Sequence, residues 1–74
     1  MAERADELKK LITIASDTSL PGELRSRTIK AIGNMATREA LLALLDLVAN
    51  DRLDKGEREL ALKQAHVLIK RSPS

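Results

Sequence analysis

Three groups of residues in this 74-residue chain are of types that could support chemistry. His66 could serve as a general base or a metal ligand, but the chain has no cysteine and His66 belongs to no recognisable motif. Glu3, Asp6 and Glu7 could form an acid–base pair or an oxygen-rich metal site, but their spacing beside lysines is typical of a solvated helix face. The lone glycine of "GELRSR" does not make a phosphate-binding loop. We therefore expect no enzymatic activity, no cofactor and no metal site.

Composition narrows the class of protein further. Hydrophobic residues make up 43% of the chain and charged residues 32%, which is the balance of a soluble globular protein. Because Phe, Trp, Tyr and Cys are absent, the core must consist of aliphatic side chains and alanine, and no disulfide can support it. The charged first residues predict no signal peptide, and the longest apolar run, "ALLALL" at 40–45, is too short to span a membrane. We expect a cytoplasmic protein that does not bind membranes.

Hydrophobic periodicity predicts four helices and therefore an all-α fold. We expect these helices at about 2–16, 21–35, 38–49 and 55–71, followed by a frayed tail at 72–74. In three of them one stripe of apolar residues should face the core: Ala5, Leu8, Leu11, Ile12 and Ala15 in the first; Leu24, Thr28, Ala31, Ile32 and Met35 in the second; Ala61, Leu62, Ala65, Leu68 and Ile69 in the fourth. The connecting loops are short, which makes successive helices pack antiparallel.

Residues at the predicted helix ends agree with these limits. Pro21 is expected at the first position of the second helix, where the missing N–H group of proline has no cost. That helix should weaken near Gly33, because glycine is common at helix ends. Thr37 should cap the third helix, and Asp54 together with Glu57 fits a capping box at the start of the fourth.

The third helix is apolar around almost its whole circumference. Only Arg38, Glu39 and Asp46 form a polar wedge, whereas a helix at a protein surface usually has one apolar stripe. We expect this helix to be central in the domain or to meet another chain. Its predicted core residues are Leu41, Leu44, Leu45 and Val48, and the candidates for an apolar interface are Leu42 and Leu47.

The chain also contains a weak internal repeat. When "DTSLPGEL" at 17–24 is aligned with "DRLDKGER" at 51–58, identical residues occur at five positions in and around the two segments. These matched positions are Ala15, Asp17, Gly22, Glu23 and Ala31, which align with Ala49, Asp51, Gly56, Glu57 and Ala65. The repeat predicts one domain made of two helical hairpins, at about 2–35 and 38–71.

The segment "AIGNMATREALLALLDLVAND" at 31–51, followed by "ERELALKQAHVLIK" at 57–70, resembles a HEAT-type helical repeat. The resemblance depends on Ala31, Gly33, Leu41, Leu44, Leu45, Asn50, Asp51, Arg58, Ala61, Ala65 and Leu68, and more loosely on Asp17, Pro21, Leu24, Arg25, Ala31 and Ile32 in the first hairpin. It implies two antiparallel hairpins, as a right-handed helical stack or a four-helix bundle. Helices two and four would then form an inner layer, which is where HEAT-like proteins usually bind their partners.

Positive charge is concentrated on those two helices. The second helix has three basic residues against one glutamate, and the fourth has five against two. An acidic protein segment or a phosphate backbone could bind such a layer. Nucleic acid is the weaker alternative, because the net charge is only +2 and there are no aromatic side chains to stack on bases. The candidate contact residues are Arg25, Arg27, Lys30, Lys63 and Lys70.

The sequence therefore predicts a small interaction or adaptor module whose partner is another protein or a second copy of itself. A stack of helical repeats normally needs three or more units, because the end units lack neighbours. Two hairpins should accordingly form a compact four-helix unit or self-associate. A basic protein associated with nucleic acid is the alternative function.

Overall fold

The computed structural model of the protein describes residues 2–71, and it describes side chains from residue 6 onward. Four helices follow one another, α1 (Ala2–Ala15), α2 (Gly22–Met35), α3 (Arg38–Val48) and α4 (Lys55–Arg71). No strand occurs within residues 2–71, so the predicted all-α fold is confirmed. None of these helices is long and apolar enough to cross a membrane. The predicted tail at 72–74 and the side chains of Glu3 and Ala5 lie outside the described residues.

The starts of α3 and α4 have side-chain capping hydrogen bonds, whereas α2 begins directly after Pro21 without one. Pro21 is the N-cap of α2, so the helix begins at Gly22, one residue later than predicted. The Thr37 hydroxyl accepts a hydrogen bond from the Ala40 N–H group at 3.0 Å, which confirms Thr37 as the cap of α3. At the start of α4 the Asp54 N–H group donates to Glu57 Oε1 at 3.2 Å. This is one of the two hydrogen bonds of a capping box, the one from the N-cap backbone to the side chain three positions later.

The end of α2 is at Met35, as predicted. The helix is continuous through Gly33, which is buried. Ala36 then adopts φ 51° and ψ 40°, the left-handed conformation in which a Cβ atom crowds the backbone. This turn reverses the chain within two residues, so that α3 packs back against α2.

The central helix is α2, so α3 does not take the central place that was one of its two expected positions. The other, contact with another chain, stays a prediction. Within residues 2–71, α1 packs on α2, α3 packs on α4, and α2 also contacts both helices of the second hairpin. Contact between α1 and α3 is slight, and in the part of the chain that the structure describes α1 does not contact α4. Because α3 has neighbours mainly on one side, Leu42 and Leu45 remain exposed despite their apolar character.

The core is small and rich in alanine. Its largest fully buried side chains are Ile29, Ile32 and Leu44. Alanines with no exposed surface lie on α1, α3 and α4 and allow close approach: Ala15, Ala40, Ala61 and Ala65. The predicted core includes four exposed residues and omits Ile29, because burial depends on which neighbours each helix contacts. These four residues are Leu24, Leu45, Leu62 and Ile69.

The loops at 16–21 and 49–54 have the same length and the same backbone hydrogen bonds. Leu20 N–H donates to Asp17 O at 3.1 Å, and Leu53 N–H donates to Asn50 O at 3.1 Å. The Asp17 side chain accepts from Ser19 N–H at 2.9 Å, as the Asn50 side chain does from the N–H group two positions later at 3.0 Å. The predicted alignment of Asp17 with Asp51 is therefore wrong by one position. Asp17 corresponds to Asn50, since either side chain can supply the oxygen for this turn.

Candidate functional site

Arg25 lies at the junction between the two hairpins instead of on the surface. Its side chain is only 8% exposed, and the Glu57 side chain is 7% exposed. Arg25 Nε donates to Glu57 Oε2 at 3.0 Å, and Nη2 lies 2.8 Å from the same oxygen. The expectation that Arg25 contacts a partner is thereby corrected, because its charge is already neutralised inside the protein.

The Arg25–Glu57 pair also contacts the first loop and the first residues of two helices. Arg25 Nη1 donates to the backbone oxygen atoms of Leu20 and Asp17, both in the first loop. Glu57 accepts from the Asp54 N–H group at the start of α4. Glu57 Oε2, the oxygen paired with Arg25, lies beside Gly22, the first residue of α2. A Cβ atom on Gly22 would be 3.1 Å from this oxygen. The carboxylate therefore lies near the N-terminal ends of two helices, where helix dipoles favour negative charge.

The remaining basic candidates are exposed but do not form one patch with Arg25. Arg27 Nη2 lies 3.2 Å from Glu23 Oε1, and both side chains are at least three-quarters exposed. On a helix, Arg25 and Arg27 point about 160° apart, because successive residues advance about 100°. Lys30 lies on the same outer face of α2 as Arg27, three positions away. Lys63 and Lys70 are seven positions apart and therefore lie on the same face of α4.

Exposed aliphatic side chains are concentrated on the second hairpin. The described residues include six large hydrophobic side chains that are exposed, and five of them belong to α3 or α4. Leu42 is 56% exposed, as an interface residue must be, but Leu47 is 2% exposed and belongs to the core. Leu47 is therefore not available for an outer contact, since it lies on the buried side of α3. The six exposed residues are Leu24, Leu42, Leu45, Leu62, Val67 and Ile69.

Groups that could support chemistry are dispersed. His66 is exposed on α4, and Asp6 and Glu7 are exposed on α1. Among the described residues, no three His, Asp or Glu side chains are placed to hold a metal ion. Hydrogen bonds from the Ser19 hydroxyl and the Ser19 backbone N–H group lower the pKa of Asp17 below its ordinary value of 3.8. The Asp17 carboxylate therefore stabilises the turn at the start of the first loop.

Two features were not predicted from the sequence. Leu45, Leu62 and Ile69 were expected in the core, but they are exposed. Glu57 was expected only to cap α4, because nothing in the sequence pairs it with the distant Arg25. Comparison of the chain with protein-family models, curated proteins and solved structures found no match in any of the three.

Proposed function

We propose that this protein is a small non-catalytic interaction module, built from two HEAT-like hairpins, that binds another protein or a second copy of itself in the cytoplasm. The observation that carries the proposal is the exposed aliphatic surface of the second hairpin. Five large aliphatic side chains on α3 and α4 are in water, in a chain whose largest fully buried side chains are two isoleucines and a leucine. Leu62 and Ile69, seven positions apart, lie on one side of α4, and contiguous exposed apolar surface usually marks a site of interaction.

The HEAT-like part of the proposal is supported by the internal similarity of the two hairpins. Their loops have the same length and the same hydrogen bonds. The second helix of each pair also has an arginine that donates to a backbone oxygen preceding that helix. Arg25 donates to Leu20 O, and Arg58 Nε donates to Val48 O at 3.2 Å. Arg25 and Arg58 correspond in the same alignment that places Asp17 opposite Asn50.

The arrangement of the charged groups favours binding over catalysis. The buried charged residues, Arg25 and Glu57, are paired with each other and with backbone groups. The exposed carboxylates of α1 are separated from His66 on α4, since these two helices do not touch within the described residues. A catalytic acid or base needs a reacting partner within hydrogen-bond distance, and binding through apolar contacts does not.

The test is to compare capture by the native protein and by surface variants. The immobilised native chain and a Leu42→Lys/Leu62→Lys variant would be exposed to the same lysate, and retained proteins identified by mass spectrometry. Leu24→Lys is the matched control, because Leu24 is exposed on the first hairpin. We expect a protein that the native chain and the control retain and the double variant does not, with affinity then measured on the purified pair. Identical capture by all three, together with a native chain that stays monomeric in sedimentation, would refute the proposal.

The alternative, binding to nucleic acid, now depends on fewer residues. Arg25 is buried and Arg27 is paired with Glu23. Lys30, Lys63 and Lys70 remain as exposed candidates. Contacts with phosphates release counterions, so binding to a generic duplex would weaken steeply as salt is raised. Absence of binding to such a duplex at low salt would remove this alternative.

A further inference from the structure

The connection between α2 and α3 is a two-residue turn that holds an alanine in a strained conformation. Ala36 has φ 51° and ψ 40°, and in the part of the chain that the structure describes it is the only non-glycine residue with a positive φ. Helix ends with this conformation usually have glycine there, because the backbone crowds a Cβ atom. Ala36 is also exposed, so the packing of α3 on α2 maintains the turn and its own side chain does not.

The residues around this turn would also form a helix. The segment 34–40 contains no glycine or proline, and most of its residues are good helix formers. In the turn, the Thr37 hydroxyl accepts from the Ala40 N–H group at 3.0 Å. In a continuous helix the same N–H group would donate to Ala36 O, four positions earlier, so the hydrogen bond of the cap would be replaced. Residues 22–48 can therefore form one long helix that relieves the strain at Ala36.

The buried residues of α2 and α3 would lie on one side of this long helix. They follow one another at alternating spacings of four and three positions, and the spacing continues without a break through the turn. All members of this stripe except Ala36 are buried in the structure. The long helix would therefore have a single buried side, as a helix packed along one partner helix requires. The stripe consists of Ile29, Gly33, Ala36, Ala40, Ala43 and Leu47.

We infer that the turn at Ala36 and Thr37 is a hinge through which two copies of this chain exchange their first hairpins. When the hinge straightens, the two hairpins of one chain separate, and each packs on the complementary hairpin of the other copy. The contacts of the monomer are kept, so Arg25 pairs with Glu57 across the two chains as it does within one. Short connections under strain favour such exchange, because the dimer relieves the strain and loses no packing.

The geometry of the monomer suits this exchange. Because the turn reverses the chain, α2 and α3 run antiparallel, and they contact each other. In the exchanged dimer α2 of each copy would contact α3 of the other, so the two long helices would run antiparallel and meet at the hinge. Gly33, Ala36 and Ala40 surround that meeting point, and their small side chains allow the two helices to approach closely.

The exchange is independent of the proposed function. It uses contacts that are buried inside the monomer, and the exposed leucines of α3 and α4 take no part in it. The Leu42→Lys/Leu62→Lys variant should therefore exchange hairpins as readily as the native chain.

Refolding of the full chain from urea at low and high protein concentration, followed by sedimentation velocity, tests the hinge. Refolding at high concentration should give a dimer. Ala36→Gly should lower the dimerisation constant at least about thirtyfold, because glycine fits the turn and weakens the long helix, a factor of about five for each of the two hinges. Ala49→Gly is the matched control. Ala49 is also an exposed alanine that ends a helix, but it is right-handed, with φ −83° and ψ −3°, so this variant should dimerise like the native chain.

A mixture of two variants distinguishes exchange from any other dimer. Arg25→Met and Glu57→Met each leave one charge of the buried pair without its partner. In an exchanged dimer with one copy of each, one junction has the arginine against the glutamate and the other has two methionines. Refolding the mixture should therefore give this mixed dimer, identified by native mass spectrometry, in greater yield than the dimer of either variant alone. In a dimer without exchange each copy keeps its own defective junction, and mixing brings no gain.

Each contrary result overturns the inference. A native chain that is monomeric after refolding at every concentration shows that the hairpins do not exchange. Equal dimerisation of Ala36→Gly and the native chain, or equal loss in Ala36→Gly and Ala49→Gly, shows that the left-handed alanine does not act as a hinge. A native dimer with no gain from the mixed variants shows association through outer surfaces. Circular dichroism verifies the fold of the two glycine variants, and the capture experiment still decides the proposed function.

Discussion

Removal of the Glu57 charge should destabilise the protein severely. Glu57→Gln keeps an oxygen atom that can accept from Asp54 N–H, but it leaves the buried Arg25 guanidinium without its counterion. Loss of one partner of a buried ion pair costs about 3–5 kcal/mol, because the remaining charge stays desolvated. A chain of 74 residues has a total stability of about 4–11 kcal/mol at ordinary values per residue. We therefore expect the variant to lose a large fraction of its stability and to unfold at a much lower urea concentration than the native chain.

The measurement is urea unfolding followed by helical circular dichroism, which reports the free energy of unfolding of each variant. Arg25→Met, Glu57→Met and the double variant Arg25→Met/Glu57→Met form a matched double-mutant cycle. Replacement of both charges by apolar groups is often neutral, so the double variant should lose at least about 2 kcal/mol less than the sum of the single losses.

An exposed pair of the same chemistry provides the control. Glu23 and Arg27 are in contact at 3.2 Å, but their side chains are 79% and 75% exposed. Glu23→Gln should change the free energy of unfolding by less than about 0.5 kcal/mol, because water already solvates both charges. Equal effects of Glu23→Gln and Glu57→Gln, or strictly additive losses in the double variant, would show that the buried pair does not join the hairpins as described.

Three further predictions concern the backbone and the first loop. Ala36→Gly should raise the free energy of unfolding by about 1 kcal/mol, because it removes the Cβ atom from a left-handed residue; a lower thermal midpoint would contradict this. Gly33→Ala should lower it by about 1 kcal/mol despite a better helix propensity, since the new Cβ would lie 3.2 Å from the Cβ of Gln64; a gain in stability would disprove close packing there. Because Ser19 lowers the pKa of Asp17, this carboxylate contributes stability above its ordinary pKa that is lost as the pH falls through the lower, folded pKa. An NMR titration should find that folded pKa below 3.8, and Asp17→Asn should keep the turn while removing this pH dependence.

Leu62 and Ile69 show where prediction of the candidate site from sequence stops. Periodicity predicted that both face the core, because they lie on the apolar side of α4 and are as hydrophobic as core residues. Whether they are buried depends on the presence of a neighbouring helix. Within the described residues α4 packs on α2 and α3 and has no neighbour beyond them, so the two side chains remain exposed.

Local information in the chain was sufficient for the four helices and most of their ends. Helical periodicity, the Thr37 cap and the Glu57 hydrogen bond to Asp54 act within a few positions, so they can be read from the sequence. The alignment of the repeat was missed by one position, because Asp17 and Asn50 differ in identity but make the same turn. The tertiary structure alone decided that Arg25 and Glu57 are buried together and that Leu62 is not. These outcomes depend on how α2 and α4 cross, and that crossing is set by packing between residues far apart in the chain.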